Sequence, residues 1–112
     1  MVSLGPVLGV PGIRAAVAAA AAPVVGVSPI IGGAPVRGMA DACLAAIGVE
    51  TSAQAVGALY ADLLDGWLVA EADAGTDVKD VEVRSRPLLM TDVPAAAALA
   101  AAALDFADEF RR

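Results

Sequence analysis

Histidine is absent from this 112-residue chain, and cysteine occurs once, as Cys43. The absence of histidine excludes Ser-His-Asp and Cys-His catalysis and the usual zinc ligand sets. A single cysteine excludes an internal disulfide, so nothing points to an oxidising compartment, and we expect a cytoplasmic chain. Positive charge is also scarce: 7 bases against 13 acids leave a net charge of −6. Without a Lys/Arg-rich run, such a chain is a poor match for nucleic acid, whose phosphates it repels.

Apolar residues, by contrast, make up 59% of the chain. The length allows at most one small domain, which we assign to residues 1–112. So short a chain buries only part of its surface, so it either exposes apolar surface to a partner or belongs to something larger. Residues 15–36 carry no charge, but the glycines and prolines among them argue against a membrane span. The start of the chain lacks the basic residues of a secretory signal.

The first 48 residues predict two strands and two helices. Residues 2–8 are mostly β-formers, and a helix follows from Pro11 until Pro23 ends it. The continuous apolar run 23–31 is typical of a strand covered on both faces. The next helix, within 37–48, is predicted to carry Met39, Cys43 and Ile47 on one apolar stripe, with Leu44 beside it.

Another helix follows from Thr51, which has capping-box spacing to Gln54. In the rest of the chain, residues 66–71 predict a short strand, 81–90 an edge strand and 91–110 a final helix. The order is therefore β-α-β-α-α-β-β-α. Alternating strands and helices of this kind favour an α/β fold with a mostly parallel sheet.

Two bends that are rich in Gly and Pro are the first candidates for a ligand site: "SLGPVLGVPG", from Ser3, and "SPIIGGAPVRG", from Ser28. Each is predicted to lead from a strand into a helix N-terminus, where free N–H groups favour an anion. Missing side chains let a phosphate approach the backbone, and Arg37 is placed to pair with it. The alternative is that Gly and Pro only make tight crossover turns.

Other charged residues have plainer interpretations. Asp62 and Asp65 lie three apart, as metal ligands on one helix face do, but such a pair more often marks a polar helix end. Arg84 and Arg86 alternate along the predicted edge strand and are interpreted as solvated residues that protect it. Asp73 is assigned to an exposed acidic loop.

Four segments in order, "SLGPVLGVPGIR", "VSPIIGGAPVRGMADACLAAIGVETSAQAVG", "LDGWLV" and "RPLLMTD", carry a family resemblance. The chain resembles the carboxy-terminal part of the 2-phospho-L-lactate / phosphoenolpyruvate transferases of coenzyme F-420 biosynthesis, especially the actinobacterial type. The resemblance implies a Rossmann-like fold and usually a dimer. It implies transfer of a phosphoenolpyruvyl or 2-phospholactyl unit from a guanosine-diphosphate-activated donor to 7,8-didemethyl-8-hydroxy-5-deazariboflavin. GMP is released, and magnesium assists.

Family members are roughly two to three times this long, and their amino-terminal Gly-rich segment and metal-binding aspartate have no counterpart here. We therefore expect a carboxy-terminal fragment or truncated homologue with little activity alone, whose magnesium ligands lie outside this chain. The resemblance assigns no catalytic residue here. It places six residues on the ligand side: Ser3, Gly5, Ser28, Gly32, Gly33 and Arg37. The alternative function is a non-catalytic α/β module that pairs, through an exposed sheet edge, with itself or with a separate amino-terminal half.

Overall fold

The computed structural model describes residues 4–35 and 39–110. Two short helices, α1 and α2, come first, then the strand β1, a small hairpin of β2 and β3, and the helices α3 and α4. The strand β4, one 3₁₀ turn, the strand β5 and the helix α5 complete this part of the chain. Their bounds are α1 Leu4–Leu8, α2 Ile13–Ala18, β1 Val25–Val27, β2 Ile30–Ile31, β3 Ala34–Pro35, α3 Ala40–Ala46, α4 Ala53–Leu59, β4 Gly66–Val69, the 3₁₀ turn Glu71–Asp73, β5 Glu82–Ser85 and α5 Val93–Asp108.

The main sheet has three strands in the order β1-β4-β5, and both neighbouring pairs are parallel. Trp67 of the central strand pairs with Gly26 on one side and with Val83 on the other. All residues of β4 are buried, which suits a central strand covered on both faces. The predicted α/β class with a parallel sheet is confirmed, and the arrangement is that of a Rossmann-like fragment.

Alternating side chains of β4 pack into two separate apolar clusters, because successive residues of a strand point to opposite faces. Trp67 and Val69 belong to one cluster with Val56 of α4, and the Trp67 indole N–H donates to the Ala53 carbonyl at 3.0 Å. Leu68 belongs to the other cluster, which includes the α5 residues Leu99 and Phe106. The sheet is therefore a middle layer between α4 and α5.

The strand predicted over residues 2–8 is wrong for its described part, since residues 4–8 form the helix α1. A strand needs a neighbour to satisfy its backbone, and the described sheet ends at β1 with no strand outside it. Pro6 falls in the first helical turn, where its missing N–H costs nothing. The predicted strand 23–31 is interrupted at Ser28-Pro29, and its first part, β1, is half-buried rather than covered on both faces.

The helix predicted within 37–48 is confirmed as α3, but the predicted apolar stripe is not its buried side. Leu44 is fully buried, whereas Met39 and Ile47 are among the most exposed large apolar residues. Periodicity located the helix but not the side of it that meets the sheet.

The first and third helices of the sequence prediction differ at their ends. The helix expected to run on to Pro23 ends at Ala18, as α2, and buries none of its own residues. At α4 the cap is Ser52, whose hydroxyl accepts the Ala55 N–H at 3.0 Å, and not the predicted Thr51.

The carboxy-terminal elements are found in the predicted order, although β5 ends at Ser85 and not at the predicted residue 90. The strand β5 lies at the edge of the sheet. The helix α5 begins at the Asp92 cap, whose carboxylate accepts the Ala95 N–H at 2.8 Å, and it buries Leu99 and Phe106. No helix within the described ranges is long and apolar enough to cross a membrane.

Candidate functional site

The carboxyl ends of β1, β4 and β5 meet at one edge of the sheet, because the three strands are parallel. The β2–β3 hairpin follows β1 at this edge, the 3₁₀ turn Glu71–Asp73 follows β4, and Arg86 follows β5. Ligands of open α/β sheets bind at this kind of edge. We therefore take the hairpin and the 3₁₀ turn as the candidate site.

Ser28 fixes the base of the hairpin. Its side chain is 4% exposed, and its hydroxyl oxygen lies 3.1 Å from both the N–H nitrogen and the carbonyl oxygen of Ile30. The Ser28 N–H donates to the Leu68 carbonyl of β4 at 2.8 Å. Ser28, which was predicted on the ligand side, therefore uses its hydroxyl within the hairpin.

Gly32 and Gly33 form the two-residue loop between β2 and β3, and both have positive φ angles, 59° and 83°. Hairpin loops of two residues commonly require positive φ at both positions, which glycine adopts at little cost. A Cβ at either position would meet no atom within 4 Å, so the tip of the turn is open. The tight-turn alternative therefore accounts for both glycines, and the open tip leaves room for a ligand.

The side chain of Asp73, the last residue of the 3₁₀ turn, forms a hydrogen bond with the hairpin. Its Oδ2 accepts the Gly32 N–H at 3.0 Å, across 41 positions of sequence. The Asp73 N–H donates to the Ala70 carbonyl at 2.8 Å, which fixes the backbone below this side chain. Sequence reasoning missed this residue because an acidic loop has no local pattern; its position after the central strand was the only available signal.

A cleft of about 360 Å³ opens beside Asp73, between the start of α4 and the loop after β4. Its lining is Glu50, Ser52, Ala53, Gln54, Ala72, Asp73, Gly75 and Thr76. The side chains of this lining carry acceptor oxygens and no positive charge, so they suit a hydrogen-bonding ligand better than a bare anion.

Within residues 4–35 and 39–110, no three His, Cys, Asp or Glu side chains lie close enough to hold a metal ion. Asp62 and Asp65 have separate structural partners. Asp62 forms an ion pair with Arg14, whose Nη2 lies 2.5 Å from the carboxylate, and Asp65 accepts the Val24 N–H at 2.8 Å. The hydrogen bond from Arg14 lowers the pKa of Asp62.

Arg84 is not the solvated edge residue that its position predicted. Its guanidinium lies 4.3 Å from the centre of the Phe106 ring and forms an ion pair with Glu109 of the α5 C-terminus. The hydrogen bond from Arg84 favours the charged form of the Glu109 carboxylate, so it lowers the pKa of Glu109. Arg86 is exposed, as expected, and donates to the Ser85 carbonyl.

The structure brings only part of the predicted ligand-side set together. Ser28, Gly32 and Gly33 belong to one hairpin segment at the carboxyl edge of the sheet. Gly5 lies within α1, not at the end of a strand. Ser3 and Arg37 lie outside the described residues.

Together, the parallel sheet between helical layers and the glycine hairpin at its carboxyl edge define a Rossmann-like α/β chain. The family model for 2-phospho-L-lactate transferase CofD matches residues 1–102. The chain belongs to this family, as its resemblance predicted.

Its relatives include three actinobacterial proteins named phosphoenolpyruvate transferase. The protein from Thermobifida fusca is 67% identical over 99% of this chain, that from Kitasatospora aureofaciens 59% over 99%, and that from Mycolicibacterium smegmatis 53% over 96%. The matched segments make up 34%, 36% and 34% of these relatives, so the chain spans about a third of their length.

Proposed function

We propose that this chain forms part of a phosphoenolpyruvate transferase of coenzyme F-420 biosynthesis. The reaction transfers a phosphoenolpyruvyl or 2-phospholactyl unit from a guanosine-diphosphate-activated donor to 7,8-didemethyl-8-hydroxy-5-deazariboflavin. The observation that carries the proposal is the 67% identity, over 99% of the chain, to the Thermobifida fusca protein of that name.

In this proposal the ribityl hydroxyl of the acceptor attacks the phosphorus that carries the three-carbon unit. A new P–O bond forms, the hydroxyl proton is released to water, the P–O bond to the guanosine phosphate breaks, and GMP leaves with the bonding electrons. The chain's own contribution is to hold phosphate groups against the backbone amides of the Gly32–Gly33 turn, whose tip is open and whose Gly32 N–H otherwise donates to Asp73. Ser3 and Arg37, which lie outside the described residues, stay in the proposed ligand-side set, whereas Gly5 lies within α1 and the Ser28 hydroxyl is engaged within the hairpin.

Magnesium belongs to the proposal only for the whole transferase. On the family resemblance, we assign its ligands to the part of the relatives that this chain does not match.

A chimera tests the proposal. The matching third of the Thermobifida fusca relative is replaced by this chain, and GMP release and formation of the deazaflavin product are measured. Activity close to that of the parent protein is expected. Gly33→Asp, which places a negative charge at the turn, should lower kcat/KM by about tenfold, or 1.4 kcal/mol. The matched control is Gly33→Asn, which has the same size and the same backbone strain but no charge. A folded but inactive chimera, or equal losses in both variants, would contradict the proposal.

A second candidate function is a non-catalytic module that pairs through its sheet edge. It is favoured by the outer strand β1, whose Val27 is 42% exposed, and by Leu4, Val7 and Val10, which are each about half-exposed. Exposed apolar edges pair readily with other chains. Light scattering after gel filtration should then show a dimer that Val27→Lys dissociates, and a monomer would count against pairing with itself.

A further inference from the structure

The hydrogen bond between Gly32 and Asp73 has a consequence for ligand binding at the turn. A backbone N–H carries one hydrogen, and that of Gly32 points to Asp73 Oδ2 at 3.0 Å. A phosphate oxygen seeks the same donor, since both groups are anionic acceptors. The amide cannot satisfy both at full strength.

Charge acts in the same direction. Asp73 and Glu50 both line the cleft beside the turn, and the lining includes no cation. Even in a medium like water, two like charges about 4 Å apart weaken binding roughly fivefold, and more where water is excluded. The Asp73 carboxylate therefore disfavours an anion at Gly32 both as a competitor and as a charge.

We propose that Asp73 is an internal competitor for the anion position at the Gly32 N–H, so that a phosphate group binds at this turn only by displacing the Asp73 carboxylate. This inference rests on the proposed function, in which the turn holds phosphate. The backbone of Asp73 is anchored to Ala70, so rotation of its side chain is enough to release the amide. Asp73 thus selects for ligands whose other contacts compensate for its displacement.

The test is a titration of the chain with inorganic phosphate at constant ionic strength near pH 7, followed through the glycine amides in ¹H–¹⁵N NMR spectra. Asp73→Asn keeps the size of the side chain but removes its charge. We expect it to bind phosphate at Gly32 about tenfold more tightly than the wild type, combining the loss of repulsion with a weaker competing acceptor. Glu71→Gln removes one charge from the same 3₁₀ turn and should gain less than about twofold.

A second measurement needs no variant. In the wild type, saturating phosphate should shift the ¹³C signal of the Asp73 carboxyl together with the Gly32 amide, since the two groups separate. Equal or weaker binding by Asp73→Asn, or an Asp73 signal that does not respond while Gly32 does, would overturn the inference. If the wild type still binds phosphate at Gly32 in either of these outcomes, the inference about Asp73 fails but the proposed function does not. No perturbation of Gly32 in any variant would overturn the inference too, and activity of the chimera would then judge the function separately.

Discussion

Gly66 lies where the central strand meets α5, and a methyl group there should be costly. A Cβ at this position would lie 2.6 Å from Phe106 Cε2 and 2.8 Å from Cζ, well inside van der Waals contact. Phe106 cannot withdraw easily, because it is fully buried under the Arg84 guanidinium. Overpacking of this kind costs about 1–3 kcal/mol, and the lower chain entropy of alanine returns about 0.4–1 kcal/mol. The middles of these two ranges give a net destabilisation of about 1.3 kcal/mol for Gly66→Ala.

Urea unfolding followed by the fluorescence of Trp67, which is the only tryptophan in the sequence, measures this change. The matched control is Gly75→Ala, because a Cβ there meets nothing within 4 Å and should change stability by less than about 1 kcal/mol. Shortening the ring with Phe106→Leu should make the alanine less costly, with a coupling of about 0.5–3 kcal/mol. Equal midpoints for the two alanine variants, or no coupling to Phe106, would refute the packing argument.

Three further outcomes are expected from unfolding measurements. Ser52→Ala should cost about 1 kcal/mol through loss of the α4 cap, whereas Thr51→Ala should change stability by less than about 0.5 kcal/mol; the reverse ranking would move the cap to Thr51. Pairing with Arg84 lowers the pKa of Glu109 in the folded state. The Glu109 carboxylate therefore stabilises the fold fully only above its pKa in the unfolded chain, about 4.3. This stabilisation disappears as the pH falls through the lower pKa that Glu109 has in the folded state. Glu109→Gln should remove the part of the pH dependence of stability that is due to this residue. Gly33→Ala should destabilise the hairpin by roughly 1–2 kcal/mol, because its φ is 83°; an unchanged midpoint would contradict this.

The sequence alone determined the elements whose cause is local. The strand predicted at 66–71, the edge strand predicted at 81–90 and the helix predicted at 91–110 each depend on residues a few positions away. These patterns predicted a parallel α/β fold, and four motifs in order predicted the family. Both predictions are confirmed.

The predictions that failed required knowledge of what lies beside each element. Residues 4–8 have strand-forming side chains, but a strand exists only if another strand pairs with it, and none in the described sheet does. The apolar stripe predicted for α3 is not its buried side, for a similar reason. A helical pattern that is apolar on several sides does not reveal which one meets the sheet, and here Leu44 does.

At the candidate site, the sequence predicted the glycine turn, and the tertiary structure decided which side chain contacts the turn. Positive φ at Gly32 and Gly33 is a local property of a two-residue hairpin loop. The Asp73 carboxylate reaches that turn only because β1 and β4 are parallel neighbours, so the segments after them emerge at the same edge. A contact across 41 positions depends on this strand order, which no local pattern of residues encodes.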